Sequence, residues 1–150
     1  MIQRIIVDAD ASPVIDEVID VAQQKMIEVL LVKNFNHFSH YVYPDFVKIY
    51  YVDEGADSAD YKIVQLSVPD DIVITQDYGL ASLLLNKNVT VMHHNGYLYT
   101  PDNINQLLMI RHQSSQMRQA GIRTKGPGKF TAENKKTFKN ILQSMIESQR

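Results

Sequence analysis

Five aspartates, Asp8, Asp10, Asp57, Asp60 and Asp77, are the residues whose types and spacing could do chemistry. Asp8 and Asp10 follow the apolar run Ile5-Ile6-Val7 and stand two positions apart, so both can lean to one side of an extended chain. Asp57 and Asp60 are three apart, neighbours on one face where a helix begins. Asp77 lies two residues past the run Asp71-Ile72-Val73-Ile74-Thr75, and Asp53 and Glu54 are close to Asp57. Carboxylates gathered in one place raise one another's pKa unless a cation neutralises them. The chain has no cysteine, so such a cation must take oxygen or imidazole ligands. Mg²⁺ or Mn²⁺, its shell completed by water and substrate phosphate, is the economical occupant. One or two such ions can activate water and steady the leaving oxygen of a phosphodiester. Each aspartate also has a plain structural use. Asp57 and Asp60 could be a helix cap and its partner, Asp77 the cap of the next helix, and Asp10 an acceptor in the turn at Ser12.

A second unusual stretch spans residues 118–130, where Arg118, Arg123, Lys125 and Lys129 alternate with Gly121, Gly126 and Gly128. Glycines let backbone amides approach an anion, arginine grips phosphate bidentately, and lysine adds a point charge. The competing reading is a surface linker. It is not a P-loop, because Pro127-Gly128 stands where Lys-Ser/Thr is required. Eight tyrosines offer stacking surfaces for bases, although strand and core positions explain most of them. His37 and His40, or His93 and His94, could ligate a metal, but no zinc spacing recurs and surface or satisfied histidines explain them better. Neither a Ser-His-Asp arrangement nor a nucleophile elbow is present.

The elements that must position these groups follow from hydrophobic periodicity. Ile5-Ile6-Val7, Val29-Leu30-Leu31-Val32, residues 47–52, residues 71–75 and Val89-Thr90-Val91-Met92 read as strands, the shortest of them buried on both faces. Ser12-Pro13 reads as a cap and first helical position, with Val14, Ile15, Val18, Ile19, Ala22 and Met26 as the inward stripe. Further helices are predicted over about 58–67, 78–86 and 101–117. A last one, over 131–149, is capped by Thr131 and buries Phe138, Ile141, Leu142, Met145 and Ile146. Residues 34–46 read as a loop with at most one turn. Strands alternating with helices imply a mostly parallel sheet in one three-layer domain over 1–150.

The chain of 150 residues is long enough to bury a core without staples, and its 45% apolar and 21% charged composition is that of an ordinary globular protein. No apolar run approaches the roughly 20 residues of a membrane helix. The opening residues turn acidic at Asp8 and do not resemble a signal peptide. The expectation is a cytoplasmic protein with no membrane or disulfide-linked partner and an undetermined oligomeric state. Charge is uneven: residues 1–100 hold 6 Lys/Arg against 14 Asp/Glu, and residues 101–150 hold 9 against 3. That asymmetry fits an acidic site and a basic segment that meets an anion, or simply a solvated basic helix.

Four ordered stretches add a family resemblance: Val7-Asp8-Ala9-Asp10-Ala11-Ser12-Pro13, Gly55-Ala56-Asp57-Ser58-Ala59-Asp60, Thr75-Gln76-Asp77-Tyr78-Gly79-Leu80-Ala81 and Arg123-Thr124-Lys125-Gly126-Pro127. Together they resemble the bacterial YaiI/YqxD family over nearly the whole chain. That family is functionally uncharacterised and is grouped with PIN-like folds, which in nucleases carry acidic residues at Mg²⁺ or Mn²⁺ sites. The resemblance implies a PIN-like α/β domain with a five-stranded sheet in the order 3-2-1-4-5. It also implies Asp8, Asp60 and Asp77 as metal-binding carboxylates, with Asp10 and Asp57 in support. The family often has cysteine where Ser12 stands, which argues against an essential thiol there. The leading expectation is a metal-dependent nuclease acting on RNA or another phosphate-bearing substrate, with Arg118, Arg123, Lys125 and Lys129 as phosphate contacts. A haloacid-dehalogenase-like phosphatase, with Asp8 as nucleophile and Asp10 as acid/base, is the rival enzyme. A non-catalytic nucleic-acid binder is the third reading.

Overall fold

The computed structural model describes residues 1–53, 55, 58–121 and 129–149. Asp57, Arg123 and Lys125 therefore lie outside the described residues. Five strands, β1 (Arg4–Asp8), β2 (Glu28–Asn34), β3 (Val47–Val52), β4 (Asp71–Ile74) and β5 (Thr90–Met92), form one sheet in the order β3-β2-β1-β4-β5. Every pairing in it is parallel. Among the described residues five helices accompany it: α1 (Ile15–Lys25), α2 (Ser58–Leu66), α3 (Tyr78–Leu85), α4 (Pro101–Gln119) and α5 (Ala132–Ser148).

Strand side chains alternate between two cores, as the period of two requires. Ile5, Val7, Val29, Leu31, Ile72 and Ile74 point to one face, where α1 contributes Val18, Val21 and Ala22 and α5 contributes Phe138, Leu142 and Ile146. Ile6, Leu30, Val32, Val73 and Val91 point to the other, against Ile63 of α2, Leu80, Ala81 and Leu84 of α3 and Ile104 of α4. The sheet is thus covered on both sides, which is why its central strands are continuous apolar runs.

Several expectations are corrected. Ser12-Pro13 does not open α1. A 3-10 turn at Ala9–Ala11 comes first, Ser12 ends it, and α1 begins at Ile15 with Val14 as its uncapped N-cap. Met26 belongs to no inward stripe: it is 93% exposed and closes α1 in the left-handed conformation at φ 58°. Ile141 is also partly exposed. The connection between β2 and β3 holds one 3-10 turn, Phe35–His37, as expected of a near-helixless loop. Thr100 and Thr131 each form a full capping box with an asparagine three residues on.

Candidate functional site

The sheet order places a switch point between β1 and β4. From β1 the chain winds towards β2 and β3, then crosses through α2 to β4 on the other side of β1. Ligands of open parallel sheets bind beyond the carboxyl ends of the strands at such a point. The register Val7↔Ile74 continues one step further to set Asp8 beside Thr75. There the Thr75 hydroxyl donates to Asp8 Oδ2 at 3.0 Å, and Thr75 Oγ1 accepts from the Asp77 amide at 3.0 Å. Thr75 is buried, and its carbonyl accepts from the Tyr99 hydroxyl at 3.1 Å. One side chain therefore ties two of the expected acidic residues together.

Asp8 is half-buried at this junction. Burial pushes its carboxyl above the ordinary carboxylate range, the Thr75 hydrogen bond pulls it back, and the charges of Asp77 and Asp10 push it up again. Among the described residues no Lys, Arg or His pairs with Asp8 or Asp77. Asp77 caps α3, with Oδ1 accepting from the amides of Gly79 at 2.9 Å and Leu80 at 3.2 Å. Its structural use is real, yet among the described residues it leaves Oδ2 without a hydrogen bond, as Asp8 leaves Oδ1.

Asp10 does not serve the Ser12 turn. Its Oδ2 accepts from the Asn34 amide at 2.8 Å, and its Oδ1 lies 2.6 Å from His37 Nδ1. Asp60, in the first turn of α2, lines a cleft of about 280 Å³ with Tyr61, Val64 and Leu83, and it is not among the charges acting on Asp8. The structure thus brings Asp8, Asp10 and Asp77 into one electrostatic neighbourhood. Among the described residues no group of three or more acids and histidines is close enough to ligate one ion.

Beside Asp77 opens a second cleft, of about 250 Å³, lined by Gln76, Asp77, Tyr78 and Arg111. Arg111 is absent from the sequence-derived candidates. Its signal was the seven-residue step to Arg118, which puts both on one face of α4. Ile104, Leu107 and Leu108 pack α4 into the core that holds α3, and beyond Leu108 the helix is exposed apart from half-buried Ser114 and Ser115. At 19 residues α4 is about 28 Å long, so this outer half carries Arg111 and Arg118 past its packed part. Thr75 was also missed, although a hydroxyl at the end of the apolar run Ile72-Val73-Ile74 invites a polar partner.

The basic segment is anchored at its far end, where the Phe130 ring meets His94 edge-on at 5.1 Å. Lys129 and Arg118 are exposed. His93 stacks on Tyr97 at 4.7 Å and accepts from the Asn95 amide through Nδ1, so it is a satisfied residue. Burial, with His94 beside it, lowers its pKa to about 4.

Fold and site together define a three-layer, doubly wound α/β domain with Asp8 and Asp77 at its switch point, paired with no cation among the described residues. The chain belongs to the family described as "Uncharacterized BCR, YaiI/YqxD family", which residues 6–148 match. It is 51% identical over 143 residues to the UPF0178 protein of Staphylococcus aureus strain Newman, covering 95% of this chain and 94% of that one. The UPF0178 protein of strain COL is similar to the same extent. No solved structure matches the chain. No helix among the described residues is long and apolar enough to cross a membrane.

Proposed function

We propose that the chain is a divalent-metal-dependent, PIN-like nuclease that hydrolyses phosphodiester bonds in RNA within the cytoplasm. The observation that carries this reading is Asp8: a half-buried carboxylate at the switch point, raised by burial, repelled by Asp77 and Asp10, and given no cationic partner among the described residues. Such an arrangement costs stability and is typical of sites tuned for chemistry.

The donor set fits a hard ion. It is all oxygen, and Mg²⁺ commonly uses one or two carboxylates with water and substrate phosphate filling the rest. Asp8 Oδ1 and Asp77 Oδ2 are the atoms that would hold it, with Asp10 adding negative charge from the next position and Asp60 as the further carboxylate the family resemblance implies. Bound there, Mg²⁺ or Mn²⁺ would supply Lewis acidity towards the phosphodiester and its attacking water. Thr75 positions both carboxylates, since its hydroxyl bonds Asp8 and receives the Asp77 amide. Arg111 stands across the adjoining cleft, where a guanidinium can hold a flanking phosphate. Arg118 and Lys129 are exposed, and with Arg123 and Lys125, which lie outside the described residues, they would supply the further phosphate contacts.

The phosphatase alternative has no observation in its favour. The residues between Asp8 and α1 form a 3-10 turn and a short link, with no hairpin insert after the first aspartate.

Incubation of the purified protein with labelled single-stranded RNA and Mn²⁺ tests the proposal. Cleavage should require Mn²⁺, stop with EDTA, and vanish in an Asp8→Asn, Asp77→Asn double variant, whose asparagine at 77 keeps the helix cap. Cleavage that survives both substitutions removes this site from the reaction. RNA binding that ignores EDTA and weakens steeply with salt, with no cleavage, makes the protein a non-catalytic binder.

A further inference from the structure

The connection from β2 to β3 exposes aromatic rings that the core leaves out. Phe35 and Phe38 are 61% and 51% exposed. Their centroids lie 5.9 Å apart, and Tyr51, near the end of β3, closes a triangle at 5.8 Å from Phe35 and 5.3 Å from Phe38. His40 adds an edge contact to Phe38 at 5.2 Å. Tyr41 and Val42 continue the exposed surface. Apolar groups gathered on a surface in this way mark a binding site.

Two observations indicate what it binds. The first is continuity with the acidic site. The turn that carries Phe35 is fastened to Asp10 through the Asn34 amide and His37, so the rings stand on the rim of the carboxylate group. The second is the open cleft that adjoins the rings. Tyr51 also lines an open cleft of about 400 Å³ with Val52, Asp53, Ser58, Tyr61, Lys62 and Gln65. Lys62 sits over the Tyr50 ring at 5.2 Å and pairs with no acid among the described residues. Tyr50 and Tyr51 point to opposite faces of β3, so Lys62 stands on the far side of this edge strand from the rings, and the cleft holds one charge of each sign, Asp53 and Lys62. Exposed flat rings beside an open cleft suit a ligand held by its flat apolar faces. A duplex hides those faces in its stack, and an unpaired strand offers them.

We propose that Phe35, Phe38 and Tyr51 form a stacking platform for an unpaired base of single-stranded nucleic acid, next to the acidic centre. The proposal rests on reading that centre as one that acts on nucleic acid, and it makes the substrate single-stranded and tolerant of base identity. Stacking requires only a π-face, which every base has.

The test is equilibrium binding in EDTA, where no metal chemistry runs. Fluorescence anisotropy compares a labelled oligouridylate with an abasic ribose-phosphate chain of equal length and charge. Wild type should prefer the base-bearing strand by roughly tenfold or more, from a per-base stacking effect of about five- to a hundredfold. Phe35→Ala with Phe38→Ala should erase the preference, and Phe38→Tyr should keep it. Both phenylalanines are more than half exposed, and an unchanged circular dichroism spectrum confirms that the variants fold. Equal affinity for the two strands, or a preference that survives the double variant, overturns the platform. So does a concentration-dependent dimer that the same substitutions dissolve, because the rings would then serve a second copy of the chain. Cleavage is read separately. A base preference in a protein that cleaves nothing keeps the platform and removes the nuclease.

Discussion

Replacing Thr75 by valine removes the hydroxyl that joins the two halves of the site while keeping its shape. The wild-type hydroxyl makes two hydrogen bonds, one to the Asp8 carboxylate and one from the Asp77 amide, each 3.0 Å long. A bond to a charged group contributes about 1.5–3 kcal/mol and a neutral one about 1 kcal/mol, so the expected loss at neutral pH is about 3 kcal/mol. Thr75→Ser keeps the hydroxyl and loses one buried methyl, which costs about 1 kcal/mol. In a chain of this length the valine variant should melt about 6–12 °C lower. The loss should also depend on pH. Asp8 is raised above its unfolded value, so ionising it lowers native stability as pH climbs through its folded pKa. The Thr75 bond moderates that rise. Without it the folded pKa goes higher still, and the valine penalty grows from acid to neutral pH. Urea denaturation of both variants at pH 7 and in the carboxylate range measures this. A valine penalty equal to that of serine, or one that is flat with pH, refutes the argument that Thr75 holds an ionised Asp8.

Asp8→Asn should stabilise the protein at pH 7 by about 0.5–2 kcal/mol, the usual return on relaxing a strained functional site, and the gain should fade as pH falls and wild-type Asp8 protonates. Added Mn²⁺ should raise the melting temperature of wild type and leave that of Asp8→Asn unchanged, as calorimetry can show. At the opposite end of the same strand pair, Asp71 is 1% exposed and accepts from Arg4 Nε at 2.9 Å, Arg4 Nη2 at 2.8 Å and the Val68 amide at 2.9 Å. Arg4→Met strands that buried carboxylate and should cost about 3–5 kcal/mol by urea denaturation. Gly96 has φ +101°, and a Cβ there would lie 2.6 Å from Ile141 Cδ1. Gly96→Ala should therefore destabilise by about 1–3 kcal/mol, and Ile141→Ala in the same chain should recover only the steric part.

The order of elements was legible because it depends on local periodicity. Ile5-Ile6-Val7, Val29-Leu30-Leu31-Val32 and Ile72-Val73-Ile74 are apolar at every position, and only a strand covered on both faces wants that pattern. Thr100 and Thr131 mark helix starts through hydroxyl caps that act within three residues. Ser12-Pro13 carries the same local signal and misleads, because the residues before it are taken up by a 3-10 turn that lifts Asp10 towards Asn34 and His37. Local propensity lost there to a tertiary demand.

What the sequence alone determined is that acidic residues end the strands and that basic ones gather late in the chain. Spacing cannot say which of them meet. Asp8 and Thr75 touch because β1 and β4 pair in one register across 67 positions of chain, and Arg111 comes to line the same cleft as Asp77 because α4 packs beside α3. The tertiary structure also set Asp60 in a different cleft from Asp77 and placed Phe35 and Phe38 on the rim of the acidic group. Periodicity reports which face of an element is buried, whereas convergence of side chains depends on how distant elements are paired and packed, and no local pattern encodes that.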